Sequence, residues 1–262
     1  MNYIDTKTYD IANGTGVRVT IFVAGCPKEP KCPFCFNPET HDFNGGKEFT
    51  EEVMNDLLKE AKQSYIQGIT LLGGEPLDLR NQKGLLPYVQ KFKKQNPKKD
   101  VWCFTGFRFE QILNMYMSQQ TTKDLLPLID IIVDGEFIEA LKDPHLIFKG
   151  SSNQRTIALF DLNKKFDDEN SIKEMINRAS KEYIYGICLF LDNIDDIDKM
   201  KNIIPYLKEY KGNNKDKKIT LIIKDNYERI TDDSEFVSLI DNIYDKENRI
   251  IDTKTKEKIK SI

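Results

Sequence analysis

Three of the five cysteines in this 262-residue chain, Cys26, Cys32 and Cys35, lie within ten residues of one another. Closely spaced thiolates bind iron–sulfur clusters, and three of them are one ligand short of closing a four-iron cluster. A zinc knuckle or ordinary buried cysteines are the alternatives, although structural zinc usually takes four protein ligands. The candidates for a fourth ligand have no paired spacing: His41, Cys103 and Cys188. The loop therefore favours a cluster with one iron left free for another molecule.

A second candidate site is the glycine turn, Gly73-Gly74-Glu75-Pro76, which directly follows the apolar run 69–72. Two glycines after a buried strand allow the backbone to approach a ligand closely. The backbone carbonyls and the Glu75 carboxylate are acceptors for an ammonium group. By itself, the turn is more typical of a simple strand-to-helix connection.

Alternating strands and helices must position these residues. Apolar, β-branched runs predict strands at 17–23, 69–72, 101–105 and 128–133. Helices are predicted between them, at about 50–64, 82–94 and 109–117. This alternation predicts a parallel sheet, whose carboxyl-end loops gather the chemistry. Those loops are the cysteine loop (residues 26–35), the glycine turn, Thr105-Gly106 and Asp134-Gly135.

The pattern changes beyond about residue 160, so we predict a first domain at 1–160 and a C-terminal α/β extension at 161–262. A polar stretch at 164–170 is the expected linker. Helices are expected near 171–182, 195–210 and 233–244, with strands at 186–191 and 218–223. No internal repeat is apparent, and Cys103 and Cys188 are most simply small buried apolar residues.

Composition excludes several classes of protein. The chain is 39% hydrophobic and 31% charged, with a net charge of −3 and a pI near 5.6, so nucleic acid is not an expected partner. Neither an apolar signal core nor a membrane-spanning run of about 20 apolar residues is present, which predicts a cytoplasmic protein with reduced thiols. Two histidines disfavour a histidine-rich metal site or a serine–histidine triad.

The three-cysteine loop and the glycine turn together resemble the radical S-adenosylmethionine (radical SAM) superfamily. The chain is more closely similar to the activating proteins of the anaerobic, class III ribonucleotide reductase. The similar segments occur in order from residue 1 to about 157: 1–3, 10–18, 22–26, 35–37, 102–107, 133–137 and 148–155.

This resemblance implies a partial radical-SAM (β/α) barrel with parallel strands. It also implies a [4Fe-4S] cluster on Cys26, Cys32 and Cys35, to whose free iron SAM binds. An electron from a flavodoxin-type reductant would cleave SAM to methionine and a 5′-deoxyadenosyl radical. That radical would remove a hydrogen atom from a glycine of the reductase catalytic subunit.

The resemblance further implies which residues contact SAM. The glycine turn binds the methionyl amino group, and an aromatic residue beside the last cysteine seats the adenine. The later loops, at Thr105-Gly106 and Asp134, either contact the ribose or methionyl part or serve only to form turns. The residues in these roles are Phe34, Cys35, Phe36, Gly73, Gly74, Glu75, Thr105, Gly106 and Asp134. Arg18 is expected to form a structural ion pair. The polar segment 150–155, with Asn153 and Gln154, is expected to help receive the partner's glycine loop.

One feature departs from the family pattern. The usual spacing is Cys-x3-Cys-x2-Cys, whereas five residues separate Cys26 from Cys32, and Pro27 and Pro30 stiffen this arm. The longer arm is expected to bulge outward while the cluster still binds. Another radical SAM enzyme, or a non-catalytic iron–sulfur regulatory protein, are the alternative functions.

Overall fold

The structure, a computed structural model, describes residues 1–162, 169–191, 197–223, 234–244, 250–252 and 258–259. The chain divides into two compact units, Met1–Thr156 and Ile157–Ile262. Both units are α/β with a mostly parallel sheet, which confirms the α/β part of the predicted fold class. Most of the predicted linker, residues 164–168, lies outside the described residues.

The first unit contains six strands and four α-helices in its described residues. The strands are β1 (Asn2–Asp10), β2 (Val17–Val23), β3 (Lys47–Glu48), β4 (Ile66–Gly73), β5 (Asp100–Phe104) and β6 (Ile131–Asp134). The helices are α1 (Glu51–Ala61), α2 (Leu79–Gln95), α3 (Phe109–Ser118) and α4 (Gln120–Leu125). The four predicted strands and three predicted helices are confirmed, whereas β1, β3 and α4 were not predicted.

The sheet of the first unit has the order β6-β5-β4-β2-β1-β3. The strands β2, β4, β5 and β6 are parallel, while β1 runs antiparallel to both of its neighbours. The expectation of parallel strands is therefore confirmed for β2, β4, β5 and β6, whereas β1, which was not predicted, runs in the opposite direction. The sequence did not reveal β1 because it contains polar residues at most positions and has no apolar run.

Arg18 on β2 is fully buried and holds the amino ends of three strands together. Its guanidinium forms an ion pair with Asp100 at 2.6 Å and donates to the Thr70 hydroxyl and the Ile69 carbonyl, both at 2.7 Å. The Trp102 ring lies 5.5 Å from the guanidinium carbon. Because a buried charge is costly unless it is paired, these contacts give Arg18 the structural role that was predicted.

The second unit contains six strands and three helices in its described residues. They are β7 (Arg155–Asp161), α5 (Glu169–Ala179), β8 (Gly186–Leu191), α6 (Ile197–Asn213), β9 (Lys218–Ile223), α7 (Ser234–Leu239), β10 (Asn242–Tyr244), β11 (Ile250–Asp252) and β12 (Lys258–Ile259). β7 through β10 are parallel, and β11 and β12 are antiparallel additions.

The prediction of a helix through residues 233–244 is wrong at its end, and the strands β11 and β12 were not predicted. The helix ends at Leu239, and Asn242–Tyr244 forms β10 beside β9. Pairing with a neighbouring strand decides the state of such a short segment, because its intrinsic propensity is weak.

The second unit repeats the architecture of part of the first, so the expectation of no internal repeat is wrong. Helices α1 and α5 are each 11 residues long and start at residues 51 and 169, 118 positions apart. Helices α2 and α6 are each 17 residues long and start at residues 79 and 197, again 118 apart. Pro87 of α2 and Pro205 of α6 also correspond at this offset, as do Gly68 and Gly186.

A lysine clamp recurs in both copies. The Lys99 ammonium donates to two carbonyls, 38 and 36 residues earlier, at the end of α1. Lys217 makes the same two contacts, with the same separations, at the end of α5. Carbonyls at a helix C-terminus lack partners within the helix, so an ammonium there satisfies them and favours the helix dipole.

A second pair of contacts also recurs. Lys93 binds the Asp130 carboxylate at 2.8 Å, and the same carboxylate oxygen accepts from the backbone N–H of Val101, the second residue of β5. Lys211 and Asp241 repeat this arrangement at β9. The repeat does not extend to the glycine turn. At the same offset of 118 residues, the matching positions 191–194 have the sequence Leu-Asp-Asn-Ile.

Within the described residues, no helix combines the length and apolar character needed to cross a membrane.

Candidate cofactor site

A cavity of about 1140 Å³ lies in the first unit at the carboxyl ends of its parallel strands. It is lined by all three cysteines of the cysteine loop, by Gly73, Gly74 and Glu75, and by Thr105 and Gly106. The strand register explains this gathering, because Val23 at the end of β2 pairs with Gly73 at the end of β4. The structure thus brings most of the sequence-predicted site residues to one cavity.

The cysteine loop is held by backbone contacts on both sides of Cys26. The Gly25 N–H donates to the Thr40 carbonyl at 2.7 Å, and the Cys26 N–H donates to the His41 carbonyl at 3.2 Å. The Cys35 N–H closes a short turn onto the Cys32 carbonyl at 3.2 Å. The three cysteine side chains form no disulfide bond; they are half-buried thiols on the cavity wall.

The donor set suits a thiolate-ligated cluster. Among the described residues, no three His, Cys, Asp or Glu side chains are grouped to hold a single metal ion. A cluster differs from a single ion because each cysteine binds a different iron, so the thiols need not converge on one point. Burial raises the pKa of Cys26 and Cys32, so ligation in their thiolate form must displace protons.

The other two cysteines have the role predicted for them. Cys103 in β5 and Cys188 in β8 are fully buried, and burial raises the pKa of both thiols well above the usual value. Neither lines the cavity.

The glycine turn is hydrogen-bonded to residues 23–25, which immediately precede the cysteine loop. The Gly74 N–H donates to the Val23 carbonyl at 2.9 Å, and the Glu75 N–H donates to the Gly25 carbonyl at 2.8 Å. A Cβ on Gly74 would lie 2.2 Å from that Gly25 oxygen, and Gly73 has a φ of +112°. Glycine is required at these positions because the two loops pack backbone against backbone. The sequence predicted that a ligand would approach the glycine backbone closely. At Gly74 the close neighbour is instead the Gly25 carbonyl.

Glu75 is buried and connects the glycine turn to the loop after β5. Its Oε1 accepts from the Leu77 N–H at 2.9 Å and the Thr105 hydroxyl at 2.7 Å, and its Oε2 accepts from the Gly106 N–H at 2.8 Å. Burial raises its pKa to about 7 although these hydrogen bonds oppose the rise. A carboxylate offers about four acceptor sites, so about one remains on Oε2 for a donor in the cavity.

Asn81, which the sequence did not reveal, fastens both loops from the first turn of α2. Its buried amide donates to the Ala24 carbonyl at 3.0 Å and to the Glu75 carbonyl at 2.9 Å. Asn81 lies just before the predicted helix at 82–94, so no local pattern marked it; in the structure its amide satisfies backbone carbonyls of both segments.

Asp134 is buried and does not line the cavity. Its carboxylate accepts from the Phe109 N–H at 2.7 Å and forms an ion pair with Arg155, which also bonds Glu110 at 2.9 Å. The charge of Asp134 thus connects β6, α3 and Arg155, all within the first unit. Its contact with SAM stays a prediction.

The two aromatic residues of the cysteine loop have different positions. Phe34 is 76% exposed, has a φ of +57° and does not line the cavity. Phe36 lines the cavity, and its ring centroid lies 4.7 Å from that of Phe137. The role of Phe34 beside an adenine also stays a prediction.

The polar segment 150–155 holds the loop after β6 in place. The Gln154 side chain donates to the Gly135 carbonyl at 2.8 Å and accepts from the Gly150 N–H at 2.8 Å. Asn153 donates to the Glu136 carbonyl at 2.8 Å. Gln154 and Gly150 also line the cavity, so the segment reaches its wall.

The 4Fe-4S single cluster domain family matches residues 12–157, more than half of the chain. An anaerobic ribonucleoside-triphosphate reductase-activating protein of Escherichia coli is 40% identical over 156 residues, which are 59% of this chain and 96% of the relative. The chain belongs to this family of activating proteins. Relatives of the same name from Haemophilus influenzae and Enterobacteria phage T4 are 36% and 37% identical, over 96% and 92% of their lengths. The part that resembles this family is the first unit.

Proposed function

We propose that the first unit is a radical SAM activase for the catalytic subunit of an anaerobic ribonucleotide reductase. Cys26, Cys32 and Cys35 would hold a [4Fe-4S] cluster, and SAM would occupy the rest of the cavity. The observation that carries the proposal is that the thiols and the glycine turn line one cavity and are joined by the Glu75–Gly25 backbone hydrogen bond. Strands β2 and β4–β6 would then form the proposed partial barrel.

When bound, the cluster supplies the electron that cleaves a carbon–sulfur bond of SAM. The protein's own part is to bind and orient the reactant and to exclude water. We assign the ammonium of SAM to the remaining acceptor site on Glu75 and to nearby backbone carbonyls of the glycine turn. A positive charge there would favour the ionised carboxylate, which burial otherwise disfavours. Thr105 and Gly106 hold the carboxylate toward the cavity.

The other contacts belong to the same proposal. Phe34 and Phe36 would flank the adenine, and Thr105 and Gly106 would lie near the ribose or methionyl part. Asp134 would act indirectly, because it orders the loop that precedes α3. A flavodoxin-type reductant in the cytoplasm would supply the electron, and neither nucleic acid nor a membrane is needed.

Anaerobic reconstitution tests the cluster and the chemistry. Wild-type protein should take up iron and sulfide and, with dithionite and SAM, release 5′-deoxyadenosine and methionine. Cys26→Ala, Cys32→Ala and Cys35→Ala should each abolish cleavage, while Cys188→Ala, the matched control, should retain it. Uptake of zinc alone, or a loaded cluster with no SAM cleavage, would contradict the proposal and favour a non-catalytic iron–sulfur protein.

A second experiment tests the target. Reduced, SAM-loaded protein mixed with the reductase catalytic subunit should produce a glycyl radical visible by electron paramagnetic resonance. SAM cleavage without that signal would instead indicate another radical SAM enzyme.

The polar segment 150–155 would help receive the partner's glycine loop, because Gln154 and Gly150 reach the cavity wall. Under this proposal Asn153→Ala and Gln154→Ala weaken radical transfer to the reductase and leave SAM cleavage intact. Equal loss of both activities would show that the segment acts only by supporting residues 135–136.

A further inference from the structure

Two lysine side chains hold the cysteine arm (residues 27–31) in place. This arm is longer than the family's usual spacing. The Lys28 ammonium forms an ion pair with Glu136, on the loop after β6. The Lys31 ammonium donates to the Cys26 carbonyl at 2.8 Å and pairs with Glu29 at 2.8 Å. The expectation that the arm bulges outward is incomplete, since the Lys28 pair binds the arm to a facing loop.

Both members of the pair lie beside the thiols of the cavity. Lys28 and Glu136 line the cavity together with Cys26 and Cys32. Burial raises the pKa of Cys32, the Lys28 ammonium opposes that rise, and the Glu136 carboxylate adds to it. A hydrogen bond from the Phe137 backbone also favours the Cys32 thiolate. The thiols thus lie within the field of two opposite charges.

We propose that Lys28 and Glu136 position the cysteine arm and set the reduction potential of the cluster, acting with opposite signs. The proposal rests on the proposed function, because it concerns a cluster held by these cysteines. Iron–sulfur potentials depend on net charge, on hydrogen bonds to sulfur and on exposure to solvent. This pair supplies two of those influences. Its charges lie beside the thiols, and its ion pair holds the arm in place, which sets how far the thiols are exposed to solvent.

The sign of each effect follows from Coulomb's law. Reduction adds one negative charge to the cluster. A nearby ammonium stabilises the reduced form and raises the potential, whereas a nearby carboxylate destabilises it and lowers the potential. While paired, the two charges largely cancel at a distance, so removing either one exposes the cluster to the other.

Redox titration of the reconstituted cluster, followed by electron paramagnetic resonance, measures these effects. Lys28→Met should shift the midpoint potential to a more negative value, and Glu136→Gln should shift it to a more positive value. The double variant should return close to the wild type. Lys91→Met, which removes an exposed ion pair with Glu51 on α1, is the matched control and should not move the potential.

Salt provides a further check on the electrostatic origin. The Lys28 and Glu136 side chains are 34% and 41% exposed, so added salt should screen their unpaired charges. The two single-variant shifts should therefore shrink between low and high ionic strength. Shifts of the same sign, or none at all, would overturn the proposal, as would shifts that salt does not change.

The positioning role has a readout that needs no cluster. Hydrogen exchange of the backbone amides of Lys28, Glu29 and Lys31 in the metal-free protein should be faster in Glu136→Gln than in the wild type, with exchange in α2 unchanged. Unchanged exchange in the arm would contradict the positioning role. The failures are distinguishable: a wild-type protein that binds no cluster contradicts the proposed function, whereas a loaded cluster insensitive to both substitutions contradicts only this inference.

Discussion

The Thr105 hydroxyl donates to Glu75 Oε1 at 2.7 Å and so connects the loop after β5 to the glycine turn after β4. The Gly106 N–H, beside it, donates to the other oxygen of the same carboxylate at 2.8 Å. Glu75 therefore orders the cavity wall before any ligand is present, and it combines this structural role with one remaining acceptor site. An acidic residue buried in this way gives the metal-free protein a stability that depends on pH.

We expect the metal-free protein to lose stability as the pH rises from about 4.5 to about 7. Burial raises the pKa of Glu75 from 4.5 to about 7, so the folded state binds the proton more tightly than the unfolded state. The free energy of unfolding should fall over this window by an amount on the order of 3 kcal/mol and then level off. Urea unfolding at a series of pH values measures this dependence.

Glu75→Gln should remove that pH dependence, because glutamine does not titrate. Glu110→Gln is the matched control. Burial raises the pKa of Glu110, but hydrogen bonds and the charges of Arg155 and Arg108 together lower it further, so this residue titrates below the window. Identical pH slopes for the wild type and Glu75→Gln would show that Glu75 is not the group responsible.

Gly74→Ala should force the glycine turn away from Gly25, the residue before the cysteine loop. The added Cβ would lie 2.2 Å from the Gly25 carbonyl oxygen, a distance that real contacts do not reach, so one loop must move. We expect loss of cluster uptake or of SAM cleavage by tenfold or more, on the order of 1.4 kcal/mol. Iron analysis and 5′-deoxyadenosine release measure the two effects.

Gly212→Ala is the control for that substitution. Gly212 lies in α6 with no atom within 4 Å of the added Cβ, so alanine should stabilise the helix by up to about 1 kcal/mol and leave activity unchanged. Full activity in Gly74→Ala would mean that the close contact between the loops is not required.

Arg155→Met should destabilise the first unit strongly. The Asp134 carboxylate is 1% exposed and would lose its charged partner, which typically costs about 3–5 kcal/mol for a buried pair. Adding Asp134→Asn should recover part of that loss. Lys91→Met, which removes a surface ion pair, should cost less than about 1 kcal/mol in the same urea titration. A small effect of Arg155→Met would show that Phe109 and solvent satisfy Asp134 without the arginine.

The lysine clamps predict matched effects in the two units. Lys99→Met and Lys217→Met each remove an ammonium from two carbonyls at the end of a helix, so each should lower the free energy of unfolding by about 1–2 kcal/mol. Urea unfolding measures both. A lower free energy of unfolding in only one variant would mean that the two lysine clamps contribute unequally to stability.

The sequence alone indicated the cysteines, the glycine turn and most regular elements of the first unit. These are local properties: thiol spacing, a glycine pair after an apolar run, and β-branched or amphipathic periodicity. The strand β1 escaped prediction because its residues are mostly polar, and β10 because it is only three residues long. In both cases a neighbouring strand supplies the pairing that the segment's own residues do not specify.

The contacts that organise the cavity were decided by tertiary structure. Glu75 meets Thr105, and Lys28 meets Glu136, because parallel strands bring their carboxyl ends to one edge. The internal repeat was hidden for a related reason. Its matching positions are sparse, such as Pro87 with Pro205, and its lysine clamps become recognisable only when their partners are known. Local patterns determine which residues can do chemistry, whereas strand register decides which of them meet.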